Sequence, residues 1–189
     1  MDSTDVKAFF DRVAADWDDM RSTFYNARVI DALAEHVKPQ PHATTVDVGT
    51  GTGFVASGLA SKTGTVVGVD HSTRMLRVAR DNLHALDVQN VALVEADLPN
   101  LPFPDRSVDG AVANMVLHHA PDPVVMLAEM RRVVRPGGVV AVTDEVAHRY
   151  EWMRTEQADI WLGFTKKNVR EFFESAGLRR HGYARLGMQ

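Results

Sequence analysis

The chain has 189 residues, of which 45% are hydrophobic and 24% are charged, so it is long enough to bury one sizeable core and too short to need two domains. Its net charge of −4 gives no electrostatic case for a nucleic-acid partner, and no apolar run approaches the about 20 residues that a membrane span needs. The absence of cysteine excludes disulfides, thiolate metal sites and cysteine nucleophiles.

The N-terminal sequence, MDSTDVKAFFDRVAADWDD, is acidic and amphipathic, whereas a signal peptide is basic and then continuously apolar. We therefore expect a cytoplasmic protein with neither a membrane nor a nucleic-acid partner. The expected organisation is one domain over 1–189, with N-terminal helices in 1–38, a ligand-binding core in 44–145, and a lid segment, a helix and a last strand in 146–189.

Two helices are expected before the first strand. Apolar residues recur at helical spacing from Val6 to Trp17 and again from Val29 to Val37, and prolines at positions 39 and 41 end the second pattern.

Short β-branched runs then alternate with helical segments. The runs predict strands at 44–48, 65–69, 91–94, 110–116 and 139–143. Ser72 is placed to cap a helix over 73–86, and Asp122 followed by Pro123 predicts the start of another. This alternation is typical of a three-layer, doubly wound α/β fold with a mainly parallel sheet.

A later helix and a last strand are expected near the C-terminus. Thr165 is placed to cap a helix with an apolar stripe that ends at Ala176, and Gly177 supplies its C-terminal stop. The segment 179–186 then predicts one further strand.

A glycine-rich loop, within VDVGTGTGFVASGLA at 46–60, follows the first predicted strand, where a doubly wound sheet binds its ligand. Phe54 stands where a dinucleotide fingerprint needs its third glycine, and no Gly-Lys-Ser/Thr follows, so the loop matches neither that fingerprint nor a P-loop. Gly51 and Gly53 still permit a tight turn and an uncovered backbone. The helix that begins near Gly53 presents N–H groups to an anionic group such as a carboxylate.

Two carboxylates follow the next strands. Asp70, in VVGVDHS, closes the second strand and is placed to accept hydrogen bonds from ribose hydroxyls, which does not separate nucleosides from dinucleotides. Asp97 ends the third strand beside Leu98, a pair suited to an adenine amino group and its ring. The fourth strand then opens into Asn114 and Met115.

The ordered motifs VDVGTGTGF, VVGVDHS, EADLPNLPFPDRSVDGAVANMVLHH and RRVVRPGGVVAVTDE resemble those of class I S-adenosylmethionine-dependent methyltransferases of type 11, close to the ubiquinone and menaquinone biosynthesis enzymes. The resemblance covers residues 40–145. It implies S-adenosylmethionine as cofactor, S-adenosylhomocysteine as product and a small-molecule acceptor. It places Asp47, Gly49, Gly51 and Gly53 under the methionine moiety, Asp70 on the ribose, His71 and Met75 near the adenosine, Asp97 and Leu98 at the adenine, Asn114 near the amino-acid end, and Thr50, Ala96 and Met115 as further cofactor contacts.

The C-terminus departs from this family, whose sheet has seven strands and ends in an antiparallel hairpin. Only 12 residues follow Gly177, enough for one strand and not for a complete hairpin. We therefore expect six strands, with an unpaired edge on the fifth unless 179–186 fills it. Such an edge predicts either a homodimer contact or a shortened protein.

Methyl transfer needs an acceptor held in line with the departing sulfur in a dry pocket, and it needs a base only if the acceptor arrives protonated. At the ends of strands four and five, His119 and Asp144 are the expected catalytic residues. His118 and His119 point in different directions, so at most one of them is expected to face the pocket. If the histidines are not catalytic, they are expected to make hydrogen bonds within the turn or to contact the cofactor. If Asp144 and Glu145 are not catalytic, they are expected to cap the next helix or to face solvent. No metal is expected, because the two histidines lack an evident third ligand.

The segment 145–164, EVAHRYEWMRTEQADIWLGF, mixes aromatic and acidic residues and is expected to cover an apolar or aromatic acceptor; an amphipathic helix packed on the sheet is a compatible alternative. Trp17 and Tyr25 are further candidates to close over the cofactor. The stretch TEQADIWLGF is similar to one in methyltransferases found beside arsenic-responsive regulators and in some arsenite methyltransferases. The latter bind arsenic through cysteines, which this chain lacks, so arsenite is not the expected acceptor. One alternative function is a cofactor-binding module or sensor without turnover. Another is a nicotinamide oxidoreductase, which the glycine spacing disfavours.

Overall fold

The computed structural model describes residues 2–187, in which five strands form one parallel sheet of order β3-β2-β1-β4-β5. The strands are β1 (Thr44–Val48), β2 (Thr65–Asp70), β3 (Val91–Glu95), β4 (Val108–Asn114) and β5 (Val134–Thr143). Each predicted run forms a strand. β4 and β5 begin earlier than predicted, and β4 ends at Asn114, before the predicted end at 116. The predicted doubly wound α/β architecture is therefore confirmed.

Three helices connect the strands: α4 (Phe54–Ala60), α5 (Thr73–Ala85) and α6 (Pro123–Val133). α4 begins after the glycine-rich loop, and α5 and α6 begin where their capping residues predict. Ser72 Oγ accepts a hydrogen bond from the N–H of Met75 at 3.1 Å, and Asp122 accepts one from the N–H of Val124 at 2.8 Å. Both caps satisfy backbone donors that have no partner within the helix itself.

Two apolar clusters lie on opposite faces of the sheet, because successive strand residues point to opposite sides. One cluster packs Val46 of β1 against Leu127 of α6. The other packs Val112 of β4 against Leu33 and Leu59 of two helices on the opposite face. No helix within residues 2–187 is long and apolar enough to cross a bilayer.

The N-terminal part holds three helices before β1, so the prediction of two was wrong. They are α1 (Ser3–Val13), α2 (Trp17–Ser22) and α3 (Arg28–Val37). Val6 and Phe9 are buried on α1, but Trp17 begins a separate helix. Arg21 of α2 lies over the ring of Phe54, 3.7 Å from its centroid, and this contact holds α2 at the start of α4.

The C-terminal part contains α7 (Trp152–Glu156) and α8 (Lys166–Ser175), and Thr165 caps α8 as predicted. The predicted sixth strand at 179–186 is wrong, since these residues pair with no strand of the described sheet. Arg180 has a φ of 58°, a left-handed conformation that interrupts a strand. The carbonyl of Leu186 instead accepts a hydrogen bond from Arg28 of α3. Among the described strands, β5 therefore pairs only with β4.

Candidate active site

A cavity of about 540 Å³ opens at the carboxyl ends of the strands, where this class of α/β protein binds its ligands. Eleven of the thirteen residues predicted to bind the cofactor line it: Asp47, Gly49, Thr50, Gly51, Asp70, His71, Met75, Asp97, Leu98, Asn114 and Met115. Gly53 and Ala96 do not. The structure thus brings most of the predicted set, drawn from 47–115, around one space.

Each of the three loop positions is occupied by glycine for a different structural reason. Gly49 has a φ of +72°, and a Cβ there would lie 2.5 Å from Cγ2 of Val116, so the fold leaves no room for a side chain. A Cβ on Gly53 would lie 3.3 Å from α5, which makes this residue a packing position. At Gly51, with φ +54°, the Cβ would meet only Nε1 of Trp17, at 3.7 Å. Of the three glycines, Gly51 is therefore the one at which a side chain would extend into open space.

Asp70 is held at the end of β2 by two backbone hydrogen bonds. Its Oδ2 accepts from the N–H of Gly51 and its Oδ1 from the N–H of Ser72, both at 2.9 Å. Burial raises the pKa of Asp70, while these hydrogen bonds act in the opposite direction. Each carboxylate oxygen retains a further acceptor position, so Asp70 can still receive two donors from a ligand.

Asp47 lies beneath the same loop and is buried within β1. Thr50 Oγ1 donates a hydrogen bond to Asp47 Oδ2 at 2.7 Å, which ties the loop to the strand that precedes it. Burial raises the pKa of Asp47 to about 7.

The end of β4 is attached to β5. Asn114 Oδ1 accepts a hydrogen bond from Thr143 Oγ1 at 2.8 Å, and the N–H of Met115 donates to the carbonyl of Thr143 at 2.8 Å. Met115 has a φ of 57°, so the chain turns sharply there and enters the segment that carries the two histidines.

His119 lines the cavity, and its ring packs edge-on against Phe10 at 4.9 Å between centroids. Its Nδ1 lies 3.0 Å from the carbonyl oxygen of Ala158. Because a carbonyl only accepts, Nδ1 carries the proton and Nε2 keeps a lone pair. Burial, followed by the charge of His118, lowers the pKa of His119 well below its ordinary value. The structure thus places a neutral imidazole at the cavity wall.

His118 and Asp144 form a buried pair outside the cavity lining. His118 Nδ1 lies 2.7 Å from Asp144 Oδ1, and the N–H of Leu117 donates to Asp144 Oδ2 at 2.9 Å. Burial lowers the pKa of His118, but Asp144 and the neighbouring carboxylates outweigh it and raise that pKa to about 9. Of the two predicted catalytic residues, only His119 lies at the cavity, and Asp144 holds the turn behind it.

The cover of the cavity comes from the N-terminal helices. Trp17 and Tyr25, which the sequence suggested, line the cavity together with Lys7 and Phe10 of α1. Lys7 Nζ donates a hydrogen bond to the carbonyl of His71. Lys7 was not predictable from the sequence, because its spacing on an amphipathic helix does not distinguish it from a solvated lysine.

The segment 145–164, which was expected to form the lid, contributes no residue to the lining described here. It packs behind the histidine turn, where Trp161 Nε1 donates to the carbonyl of Ala120 at 3.0 Å and Ala158 contacts His119. In this structure the segment supports one wall of the cavity.

Residues 46–142 match the model of the family described as Methyltransferase domain, and the chain belongs to this family. The chain is 36% identical over 109 residues to an arsenite methyltransferase of Halobacterium salinarum, an alignment that covers 56% of this chain and 28% of that protein. It is 32% identical over 145 residues to a demethylmenaquinone methyltransferase of Listeria welshimeri, covering 74% of this chain and 61% of the relative. The chain thus spans less than two thirds of the length of these curated relatives.

A solved structure shares the fold. The phosphoethanolamine N-methyltransferase 2 of Haemonchus contortus, in complex with S-adenosyl-L-methionine, superposes with a TM-score of 0.68 at 25% sequence identity. The alignment covers 79% of this chain and 36% of that one. The family and this likeness agree with the resemblance carried by the four motifs.

Proposed function

We propose that this chain binds S-adenosylmethionine in the cavity and transfers its methyl group to a small-molecule acceptor. The observation that carries the proposal is the position of the Asp70 carboxylate at the cavity. The N–H groups of Gly51 and Ser72 hold this carboxylate, and its oxygens can accept further hydrogen bonds from a ligand. The family supports the activity, and the relative in complex with S-adenosyl-L-methionine supports the cofactor.

The residues present fit this cofactor. The volume of about 540 Å³ lies in the range of about 300–1,000 Å³ typical of ligand pockets. A side chain at Gly51 would enter that space, so the glycine leaves room for a ligand against the backbone. We assign Asp70 to the ribose hydroxyls, Asp97 and Leu98 to the adenine, and the loop around Gly51 to the methionine moiety.

The bound cofactor supplies a methyl group activated by a sulfonium, so this chain's task is to orient the acceptor and exclude water. We propose His119 as the base for an acceptor that arrives protonated, because its Nε2 has a lone pair at the cavity wall. Asp144 acts through the turn, by fixing the N–H of Leu117 and the ring of His118.

Calorimetric titration with S-adenosylmethionine, S-adenosylhomocysteine and NAD tests the cofactor. We expect the first two to bind and NAD not to bind. Binding of NAD alone would overturn the proposal. If S-adenosylmethionine and S-adenosylhomocysteine bind but no member of an acceptor panel is methylated, the alternative of a cofactor-binding module without turnover is favoured. The two curated relatives, both named as methyltransferases, do not support that alternative.

The acceptor is proposed to be an apolar or aromatic small molecule. Phe10, Leu98, Val125 and Met126 give the cavity apolar walls. The Listeria relative is named for a demethylated menaquinone, which is consistent with such an acceptor. Arsenite, for which the Halobacterium relative is named, is disfavoured because this chain has no cysteine to bind it.

Replacement of His119 by glutamine is expected to slow methyl transfer to a protonated acceptor by about 100-fold or more, the usual contribution of a general base. Since the pKa of His119 is lowered well below 6.5, the wild-type rate should fall only at a pH below that value, where the imidazole becomes charged. Single-turnover rates against pH measure both effects. His42→Gln, an exposed histidine, is the matched control, and an unchanged pH profile in His119→Gln would remove the base role.

The outer edge of β5 is proposed as a contact between two copies of the chain, because within the described residues this strand pairs on one side only. Light scattering across a concentration series is expected to show a dimer, and a monomer throughout would contradict this. The cytoplasmic location stays a prediction from the sequence, which cell fractionation tests.

A further inference from the structure

The Asp159 side chain is fully buried, and within residues 2–187 neither of its carboxylate oxygens has a hydrogen-bond partner. Buried polar groups are normally hydrogen-bonded, and a buried carboxylate without a partner is costly. Asp159 follows Ala158, whose carbonyl holds His119, so a group that binds Asp159 also influences the cavity wall.

Two metal-ligating side chains surround Asp159. Glu145 is the second residue after the end of β5, and His148 lies three residues further on. His148 Nε2 is 2.8 Å from Glu145 Oε2, and one ligand atom from each of Glu145, His148 and Asp159 lies within 4.8 Å of the other two. Three separate side chains therefore converge on one point from two segments of the chain.

The charges around this point are unbalanced. Asp144, Glu145 and Asp159 are all largely buried, and in the described part of the chain the groups within ion-pair distance of them are histidines, with no lysine or arginine. His118 Nε2 lies 3.7 Å from Asp159 Oδ1. A bound cation would satisfy both the charge and the unpartnered oxygens of Asp159.

We propose that Glu145, His148 and Asp159 bind a divalent first-row transition-metal ion such as Zn²⁺. Imidazole nitrogen and carboxylate oxygen are the ligands that such ions take in proteins that offer no thiolate. With bond lengths near 2.0–2.2 Å, neighbouring ligand atoms in a tetrahedral site lie about 3.3 Å apart, so a small adjustment of the three side chains closes the site.

Binding through Nε2 of His148 places the imidazole proton on Nδ1. The Nδ1 contact from the N–H of the exposed Tyr150, at 3.2 Å, would then be released. The side chains of Glu145 and His148 are 13% and 14% exposed, which leaves a route for the ion from solvent. The ion would join the end of β5 to the loop after α7 that fixes His119.

A second ligand set is the alternative. One ligand atom from each of His118, His119 and Asp159 also lies within 4.8 Å of the other two, so Asp159 supplies the third partner that the sequence analysis did not find for the histidine pair. These three residues are less exposed than Glu145 and His148, and the Nδ1 atoms of the two histidines already contact Asp144 and the carbonyl of Ala158. The more accessible set with Glu145 and His148 is therefore preferred.

The test is Zn²⁺ binding to the chelator-treated full chain, followed by calorimetry and by the thermal midpoint, with Co²⁺ absorption as a probe of the ligands. We expect one ion per chain and a raised midpoint. Asp159→Asn and His148→Gln should each weaken binding by at least about 100-fold, more than the loss of a residue that only orients a ligand. The exposed pair His36→Gln and Glu151→Gln are matched controls that should bind as the wild type does.

Three outcomes would overturn the proposal. The first is no stoichiometric Zn²⁺ in the wild type, which would make Asp159 a protonated or hydrated carboxyl. The second is loss of Zn²⁺ in His119→Gln with full binding in His148→Gln, which would assign the ion to the buried histidine set. The third is wild-type affinity in both Asp159→Asn and His148→Gln. Because His148 is partly exposed, its variant keeps the test valid if Asp159→Asn does not fold. Metal binding is measured without methyl transfer, so its result is independent of the proposed function.

Discussion

Asp70→Ala is expected to weaken S-adenosylmethionine binding by at least about 1.5 kcal/mol, the scale of a hydrogen bond to a charged group, which is more than tenfold in affinity. The variant loses the acceptor assigned to the ribose. It also releases the N–H groups of Gly51 and Ser72, so the loop around Gly51 loses the contact that fixes its position. Both losses act on binding in the same direction.

Calorimetry measures the affinity, and thermal unfolding separates it from stability. Asp81→Ala, which removes an exposed carboxylate on α5, is the matched control and should bind as the wild type does. Removal of Asp70 relieves the desolvation of a buried carboxylate but leaves the N–H of the buried Ser72 without its acceptor, so affinities are compared at a temperature at which thermal unfolding shows both proteins to be folded. An Asp70→Ala protein with unchanged affinity would remove Asp70 from the site.

Gly49→Ala and Gly51→Val should fail in different ways. At Gly49, the new Cβ would lie 2.5 Å from the Val116 side chain, so we expect a large loss of stability. At Gly51, the left-handed φ of +54° costs a side chain about 1–2 kcal/mol, but the nearest atom is 3.7 Å away. Gly51→Val should therefore stay folded and lose cofactor affinity, because its side chain occupies the space of the ligand.

Denaturant unfolding and calorimetry on the same samples distinguish the two effects. The double variant Gly49→Ala with Val116→Ala removes the contacting side chain and should recover part of the stability. Normal cofactor binding by a folded Gly51→Val would contradict the placement of the ligand against this loop. A Gly49→Ala protein as stable as the wild type would contradict the packing around Val116.

The helix caps and strands of this fold could be predicted from the sequence, because each depends on residues that are close together along the chain. Ser72, Asp122 and Thr165 each cap a helix within a few residues of their own position. The β-branched runs became the five strands, since a buried parallel strand has a continuous apolar pattern. The failed strand at 179–186 and the division of the N-terminal region into three helices lacked such a local signal.

The part of the cavity that lies at the ends of the strands was predictable for a topological reason. The loops after parallel strands meet at one edge of the sheet, so residues as far apart as Gly49, Asp70 and Asn114 line a common space. The order of motifs along the chain was therefore enough to predict that these residues would meet.

The sequence by itself determined the α/β class, the five strands, three helix caps and the part of the cavity lining that follows the strands, because each of these follows from short-range pattern or from the common edge of a parallel sheet. Only the tertiary structure decided that His119 faces the cavity while Asp144 lies behind it, that α1 covers the space, and that Asp159 joins Glu145 and His148. These contacts depend on how segments outside the regular sheet pack, and neither charge nor periodicity records that packing.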